Sequence, residues 1–393
     1  MKNLLYFTLL LIFSNTLFAL NDKTKSKDDP LDKINLSGLN WRSVGPSLTS
    51  GRISDIAVNP NNIFEYYVAT SAGGVWKTIN SGIDYTPVFD NEGSYSIGCV
   101  SIDPNNSNVI WVGSGENNNQ RSVSYGDGVY KSIDGGDTWK NMGLKSSEHI
   151  GKIIIDPNNS NVIYVAAIGP LWSKGGERGL YKSIDGGINW SLILYIDENT
   201  GVNDVIIDPR NTDILYASSF QRRRHVFTYV GGGPGSGMHK SEDGGENWIK
   251  INTGLPTEEI GRIGLTISPA NPEYIYAIVE AANGKGGFYR SLNKGASWKR
   301  QSSHSTSGNY YQEIIADPVD PNRVFSMDTW MTVTNDGGKT FNKVGEDFKH
   351  VDNHSIWINP NNNGHWLVGS DGGIYETFDN ANSWDFKENL PVT

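Results

Sequence analysis

The chain has 393 residues, a formal net charge of −10, 45 glycines, 12 tryptophans and one cysteine. One ordinary domain of roughly 100–200 residues does not fill this length, so the chain forms either several domains or one large β architecture. Its 33 Lys and Arg against 43 Asp and Glu exclude the basic footprint of a nucleic-acid-binding protein. The single cysteine excludes an intrachain disulfide.

The first residues are typical of a secretory signal. Lys2 gives a charged start, residues 4–13 form an apolar segment too short to span a bilayer, and Ala19 provides the small residue at a cleavage site. An uncleaved anchor is the alternative. We therefore predict a signal peptide over 1–19, a flexible charged leader over 20–38 and a secreted or periplasmic protein. No later stretch is apolar enough to span a membrane, so none is expected in the mature chain.

One pattern of four short runs occurs seven times in the rest of the chain. Its first run is apolar and ends in Asp, Asn or Ser followed by proline. These prolines lie 42 to 60 residues apart, at Pro60, Pro104, Pro157, Pro209, Pro269, Pro318 and Pro360. Two further apolar runs follow in each unit, and the unit ends with a tight turn and a fourth run that begins at an aromatic residue.

We call that tight turn the closing turn; SIDGGDTW at 132–139 is one example. An Asp or Asn side chain can bind nearby main-chain N–H groups, glycine can adopt positive φ, and the final aromatic residue can pack back as an anchor. The acidic and aromatic residues of these turns are therefore predicted to be structural rather than catalytic. They include Asp134, Trp139, Asp185, Trp190, Asp243, Trp248, Trp298, Asp336, Phe341 and Trp384.

Four short strands in each unit of about 50 residues indicate an all-β fold, a seven-bladed β-propeller of four-stranded antiparallel blades, with a domain over 39–393. The segment 40–53 is similar to the fourth run and following loop of an interior unit, 139–153. An N-terminal strand there could help to close the ring. The seventh unit has its own fourth run, however, so the pairing of that strand stays open.

The S-x-D-G-G-x-x-W turn resembles the Asp-box, or bacterial neuraminidase repeat. Sialidases, sortilin-type receptors, xyloglucanase-type glycoside hydrolases and photosystem assembly factors carry similar turns. The chain most resembles secreted bacterial proteins described as sortilin-like or glycosyl-hydrolase-like repeat proteins. Members of that group usually continue into a second propeller, so the resemblance implies a chain truncated before it.

Strand alternation places the proline turns and the closing turns on one face of the propeller and the longer, variable loops on the other. Function on a rigid scaffold tends to lie in such loops, which are expected to form one wall around a central pocket. The candidate ligand-binding residues there are Arg52, Glu116, Asn117, Arg121, His149, Trp172, Arg222, Arg223, Arg224, Arg262, Tyr310, Tyr311 and His354. The alternative for Arg222–Arg224 is a solvated strand end that pairs with nearby carboxylates.

An enzyme of the glycoside hydrolase class needs two carboxyl groups on either side of the scissile bond. Candidate carboxylates on the variable face include Glu116 and Asp371, but no spacing singles out a pair. Xyloglucanases have a T-D-x-G-G stretch that supplies one catalytic Asp. The matching stretch here begins at Thr70, and Ser71 stands at the position of that carboxylate.

Three functions remain open at this stage. The first is a secreted, monomeric propeller that binds a peptide or glycan in the central pocket.

 The second is a glycoside hydrolase that acts on polysaccharide, and the third is a scaffold for assembling an envelope complex. The sequence predicts no cofactor and no metal site, because a lone cysteine and scattered histidines offer no ligand cluster. Nucleic acid is not expected as a partner.

Overall fold

The computed structural model describes residues 45, 46 and 48–393. The predicted signal peptide, the leader and the domain boundary at residue 39 lie outside these residues and stay predictions. Residues 46–393 form one compact unit with seven four-stranded antiparallel sheets. In each sheet the four strands follow chain order, which confirms the predicted seven-bladed propeller.

The strands of the first four blades are numbered in chain order. Blade 1 contains β1 Ile53–Val58, β2 Tyr66–Thr70, β3 Val75–Thr78 and β4 Thr86–Pro87; blade 2 contains β5 Ile97–Asp103, β6 Asn106–Ser114, β7 Val129–Ser132 and β8 Lys140–Gly143. Blade 3 contains β9 Ile150–Asp156, β10 Asn159–Ala167, β11 Gly179–Ser183 and β12 Ser191–Leu194. Blade 4 contains β13 Thr200–Asp208, β14 Asn211–Gln221, β17 Gly237–Ser241 and β18 Ile249–Lys250. A two-stranded hairpin, β15 Arg223–Arg224 and β16 Tyr229–Val230, lies in the loop between β14 and β17.

The last three blades follow the same order. Blade 5 contains β19 Ile260–Ile267, β20 Ile275–Ala281, β21 Gly287–Ser291 and β22 Lys299–Ser302. Blade 6 contains β23 Ile314–Ala316, β24 Val324–Ser326, β25 Thr332–Thr334 and β26 Asn342–Lys343, and blade 7 contains β27 Asn353–Ile358, β28 Trp366–Ser370, β29 Gly373–Thr377 and β30 Asp385–Phe386. Two single-turn 3-10 helices, Lys145–Ser147 and Ala282–Gly284, lie in loops.

Each closing turn is held by the same local hydrogen bonds. In blade 2, Ser132 Oγ donates to Asp134 Oδ1 (2.7 Å), and Asp134 Oδ1 accepts the N–H of Thr138 (2.9 Å). Hydrogen bonds from Thr138 and Ser132 lower the pKa of Asp134 to about 2. Gly135 and Gly136 have φ values of 71° and 94°, as the sequence predicts for glycine in this turn.

The closing turns and the proline turns share one face, as predicted. In every blade a main-chain N–H of the closing turn donates to the turn between the first two strands; examples are Gly135 to Asn108 (2.8 Å) and Gly186 to Asn161 (3.0 Å). The loops between second and third strands, and those between blades, therefore occupy the opposite face. We call it the variable face.

The aromatic residues that end the closing turns connect neighbouring blades. Trp190 Nε1 donates to the carbonyl of Met142 in the preceding blade, and Trp298 Nε1 donates to that of Ile251 (both 2.8 Å). Trp298 is buried, whereas Trp139, Trp190 and Trp248 are only half-buried. The expectation that these residues are all large buried anchors therefore holds fully for Trp298 and in part for the other three.

The apolar core is divided among the seven seams between blades. Each seam holds one cluster of buried side chains, and the seam between blades 7 and 1 is filled by Ile53, Val68, Leu367, Leu390 and Val392 among others. Cys99 is buried in the seam between blades 2 and 3, where it packs as a small hydrophobic residue.

Residues 40–44 and 47 of the segment 40–53 lie outside the described residues, so a part for an N-terminal strand in closing the ring stays a prediction. Blade 7 uses its own fourth strand, β30, and the described residues 48–52 form no strand. Side chains fill the seam instead, and Ser50 donates its main-chain N–H to the carbonyl of Val392 (2.8 Å). In the part of the chain that the structure describes, no helix is long and apolar enough to cross a membrane.

Candidate ligand-binding site

A short loop of blade 2 passes over the centre of the variable face. We call residues 116–119, which follow β6, the crossing loop. Asn117 Nδ2 donates to Glu313 Oε1 beside blade 6 (3.0 Å), and Asn119 donates its main-chain N–H to Asn309 (2.9 Å). A loop of blade 2 can reach blade 6 only across the ring. This loop therefore covers the middle of the face, where the sequence predicts the central pocket.

Buried arginines of blade 4 hold the crossing loop. Arg222, with no exposed surface, donates to the carbonyl of Asn118 (3.0 Å) and to the side chain of Asn119. Arg224 Nε donates to the carbonyl of Asn119 (2.8 Å). On the other side, His149 Nδ1 lies 2.8 Å from the carbonyl oxygen of Glu116. Burial lowers the pKa of His149 well below its usual value, which favours a neutral ring that donates this bond.

The alternative of a solvated strand end for Arg222–Arg224 is wrong for two of its three residues. Arg222 and Arg224 are buried, and Arg223 is half-buried. Among the described residues none of the three forms an ion pair with a carboxylate; each donates to carbonyl or amide oxygens. Burial, and then the charge of Arg178, lower the pKa of Arg222 to about 9.

A polar cluster lies beside the crossing loop, where blades 6, 7 and 1 meet. Asp371, from the turn after β28, is its centre. Its Oδ1 accepts from Arg52 Nε and lies 2.8 Å from His354 Nε2, and its Oδ2 accepts from the Tyr310 hydroxyl at 3.0 Å. The Arg52 guanidinium also stacks on the Tyr310 ring, 4.6 Å from its centroid. We call Arg52, Glu116, Tyr310, His354 and Asp371 the Arg52 cluster.

Arg52 connects the two carboxylates that the sequence suggested as catalytic candidates. Its Nη1 donates to Glu116 Oε2 (2.9 Å), while its Nε donates to Asp371 (2.8 Å). Burial would raise the pKa of Asp371, but hydrogen bonds from His354 and Arg52 outweigh it and hold that pKa well below the usual range. Asp371 is therefore ionised at neutral pH.

The carboxylate of Glu116 is buried and accepts three hydrogen bonds from other residues of the protein. Besides Arg52, it accepts from Asn118 Nδ2 (2.8 Å) and from the main-chain N–H of Ser124 (3.1 Å). Arg52 and Asp371 keep a substantial exposed surface, 27% and 29% of their side chains, and Tyr310 is half-buried. A ligand that approaches the Arg52 cluster would therefore meet Asp371, Arg52 and the Tyr310 ring first.

Tyr311 extends the cluster toward blade 6. Its hydroxyl donates to Asp352, and its ring stacks on His354 with centroids 5.4 Å apart. Ser71, which stands where xyloglucanases have an Asp, donates its main-chain N–H to the carbonyl of Arg52 (3.0 Å). Ser71, the position at which the resemblance implies a carboxylate, thus adjoins the cluster. The exposed carboxylate of the cluster comes instead from Asp371 of blade 7.

The other predicted residues lie apart from this cluster. Arg121 is exposed, Trp172 is 44% exposed, and Arg262 is buried, with its guanidinium donating to the carbonyl of Tyr311 (3.0 Å). Arg223 donates to Asn199 Oδ1 at 3.3 Å. The structure places these residues but leaves their part in ligand binding a prediction.

Sequence reasoning missed residues that organise the variable loops. Arg178 donates to four carbonyl oxygens of its own loop, those of Ile168, Pro170, Ser173 and Gly175. No motif or spacing marks it in the sequence, because its partners are main-chain atoms. The partners of the crossing loop in the segment 308–309 were missed for the same reason.

Charged side chains also line the channel beneath the crossing loop. Lys152 extends among Asp55, Asp204 and Glu313 of other blades, and burial raises the pKa of Glu313 to about 7. Among the described residues, no group of three or more His, Cys, Asp or Glu side chains is arranged to hold a metal ion.

No family model matches the chain. A curated xyloglucanase of Paenibacillus is 22% identical over 431 aligned residues, which cover 90% of this chain and 40% of that protein. The chain therefore spans about two fifths of the length of this relative.

Two solved structures show the same fold. The GH74 xyloglucanase of Xanthomonas campestris superposes with a TM-score of 0.64 at 15% identity, covering 89% of this chain and 56% of that one. YCF48, solved bound to D1 peptide, superposes with a TM-score of 0.54 at 16% identity, covering 87% of this chain and 98% of that one. The chain is a seven-bladed β-propeller with low-identity similarity to xyloglucanases.

Proposed function

We propose that the variable face binds a polysaccharide chain and that the Arg52 cluster is its polar contact. The observation that carries this proposal is the position of Arg52 between Glu116 and Asp371. The partly exposed charges of Arg52 and Asp371, with the Tyr310 ring beside them, offer donors, an acceptor and an aromatic surface at one place. Sugar hydroxyls and the flat face of a pyranose ring fit such a surface. The similarity to xyloglucanases supports a β-glucan ligand.

The same arrangement argues for binding rather than cleavage at this cluster. A glycoside hydrolase needs one carboxylic acid that is protonated at the working pH. The pKa of Asp371 is held well below its usual range, and Glu116 is buried and already accepts three hydrogen bonds. Neither residue is arranged as a proton donor. The predicted signal peptide is consistent with binding polysaccharide outside the cytoplasm.

The test is a calorimetric titration with xyloglucan oligosaccharides. We expect Asp371→Asn to weaken binding about ten-fold, as removal of a hydrogen-bonded charge at an interface does. Asp347→Asn is the matched control, because Asp347 is exposed in the loop before blade 7 and belongs to no hydrogen bond or ion pair of the described residues. Unchanged affinity of Asp371→Asn, or binding of a peptide array but no glycan, would overturn the proposal.

Hydrolysis of polysaccharide is the second candidate, because the relatives are named xyloglucanases. Release of reducing sugar by the wild-type chain would support it. Loss of that activity in Glu116→Gln or Asp371→Asn would then place the reaction at the Arg52 cluster. Retained activity in both variants would place it elsewhere in the chain.

A further inference from the structure

A separate cavity of about 370 Å³ opens on the variable face between blades 4 and 5. It is lined by the blade 4 loop, Tyr229 to Gly232, and by two segments of blade 5 around Glu259 and Glu280. It shares no residue with the Arg52 cluster. We call it the blade 4–5 cavity.

One wall of the cavity carries a carboxylate without a cationic partner. Glu280 Oε2 accepts the main-chain N–H of Arg262 at 3.2 Å, and no Lys, Arg or His nitrogen of the described residues lies within ion-pair distance. The nearby Arg262 guanidinium is bound to the carbonyl of Tyr311 instead. Burial raises the pKa of Glu280. A half-buried carboxylate of this kind gains most from a cation that enters the cavity.

Two glycines make room for this carboxylate. A Cβ atom built on Gly261 or on Gly308 would overlap Glu280 Oε2. Gly261 lies on β19, and Gly308 lies in the loop before blade 6. Any larger residue at either position would displace Glu280 from its place in the cavity wall.

The strand register brings a second carboxylate to the same side. Ile260 pairs with Ala281, and Ala282 donates its main-chain N–H to the carbonyl of Glu259 (2.9 Å). Glu259, one residue before β19, therefore lies beside the end of β20, and Glu259 and Glu280 both line the cavity. Glu259 is exposed and forms no ion pair with the described residues.

The cavity also holds a hydroxyl group that has no partner. Tyr229 Oη is buried and has no hydrogen-bond partner among the described residues, while the Arg224 guanidinium stacks on its ring, 4.4 Å from the centroid. Among the described residues the cavity thus combines two carboxylates that form no ion pair with a hydroxyl that has no hydrogen-bond partner, whereas the arginines behind it donate to carbonyl and amide oxygens. An ammonium group has three donors and one positive charge, which matches these three acceptors.

From this geometry we infer that the blade 4–5 cavity binds a protonated primary amine on a small polar or aliphatic arm. Glu280 would be its main acceptor, Glu259 would add attraction at the mouth, and Tyr229 would accept a third hydrogen bond. An amino sugar and a lysine side chain both carry this group. The inference does not depend on the proposed polysaccharide binding at the Arg52 cluster.

The test compares charged and neutral probes of the same size by NMR titration. At a pH below the pKa of its amine, glucosamine should shift the NMR resonances of the residues that line the cavity, whereas glucose should not. Nα-acetyl-lysine amide is the second amine probe. The amine that binds more tightly shows whether the cavity prefers an amino sugar or a lysine side chain. Equal binding of glucose and glucosamine, or no binding of either amine, would overturn the inference.

Variants locate the binding. Glu280→Gln keeps an acceptor for Arg262 and should weaken amine binding about ten-fold or more, since it removes a desolvated charge. Glu258→Gln, beside the cavity but outside its lining, should bind as the wild type does. Full affinity of Glu280→Gln would contradict the inference. If that variant does not fold, the carboxyl ¹³C titration of Glu280 in the wild type decides: its pKa must fall when glucosamine is added.

Discussion

On the closing-turn face the Asp or Asn side chain of each closing turn binds groups of its own turn, whereas on the variable face polar side chains connect loops that are far apart in the chain. Asp134 accepts hydrogen bonds from residues at most four positions away in the chain. Arg52 binds partners 64 and 319 residues away. The first arrangement repeats seven times with little change, and the second occurs once. The difference teaches that the repeat builds the scaffold and that single long-range contacts shape the candidate site.

The largest effect is expected at a buried seam residue of the closing-turn face. Trp298→Ala should lower the free energy of unfolding by about 3–5 kcal/mol, as other buried large-to-Ala changes do. Trp248→Ala should cost roughly half as much, because Trp248 is half-buried and its indole N–H bonds only within its own turn, to Gly245. Chemical denaturation measures the free energy of unfolding of both variants. Equal losses would contradict the argument that burial between blades sets the size of the effect.

Removal of Arg222 should have the next largest effect, on the variable face. Arg222→Met leaves the carbonyls of Asn118 and Gly169 without their buried donor, so we expect a loss of about 3 kcal/mol. Hydrogen exchange should also speed up in the crossing loop and remain unchanged in the closing turns. Arg121→Ala is the control, because Arg121 is exposed and lies between β6 and β7, as the crossing loop does. This change should alter the free energy of unfolding by less than about 0.5 kcal/mol. Unaltered exchange in residues 116–119 would show that Arg222 does not hold the loop.

Glu313 should make stability depend on pH. Its pKa is raised by burial to about 7, so the native state keeps a proton that the unfolded chain loses. Stability therefore decreases as pH rises from about 4.5 through 7, by roughly 2–3 kcal/mol in total. Glu313→Gln, which can still accept from Asn117, should reduce this slope. Denaturation curves at several pH values measure it, and an unchanged slope would contradict the prediction.

The smallest effect is expected at a single backbone position of a closing turn. Gly136→Ala should cost about 1–2 kcal/mol, because its φ of 94° is unfavourable for an L residue. Ser81 has φ of 60° in the equivalent turn of blade 1, so Ser81→Gly should be neutral or slightly stabilising. Thermal melting of both variants checks the pair, and a stabilised Gly136→Ala would contradict the backbone argument.

The sequence predicts the scaffold well because its determinants are local and repeated. Turn residues such as Asp134 and Gly136 act within a few positions, so seven copies reveal the blade. The separate members of the Arg52 cluster were also predicted, since they fall in variable loops. Their connection was not, because Arg52 and Asp371 meet only when the ring closes.

The features that sequence reasoning missed depend on register and on main-chain partners. Glu259 and Glu280 line one cavity because the pairing of β19 with β20 brings the end of β20 next to the segment that precedes β19. The crossing loop covers the ring centre because Asn119 meets main-chain groups of the segment 308–309. Neither relation leaves a pattern of residue types that can be recognised before folding.

Hydrogen exchange with and without a bound xyloglucan oligosaccharide tests the central claim most directly. The account predicts slower exchange for amides near Arg52, Tyr310 and Asp371, with no change in the seven closing turns. Protection confined to the closing turns, or no protection anywhere at saturating oligosaccharide, would contradict it.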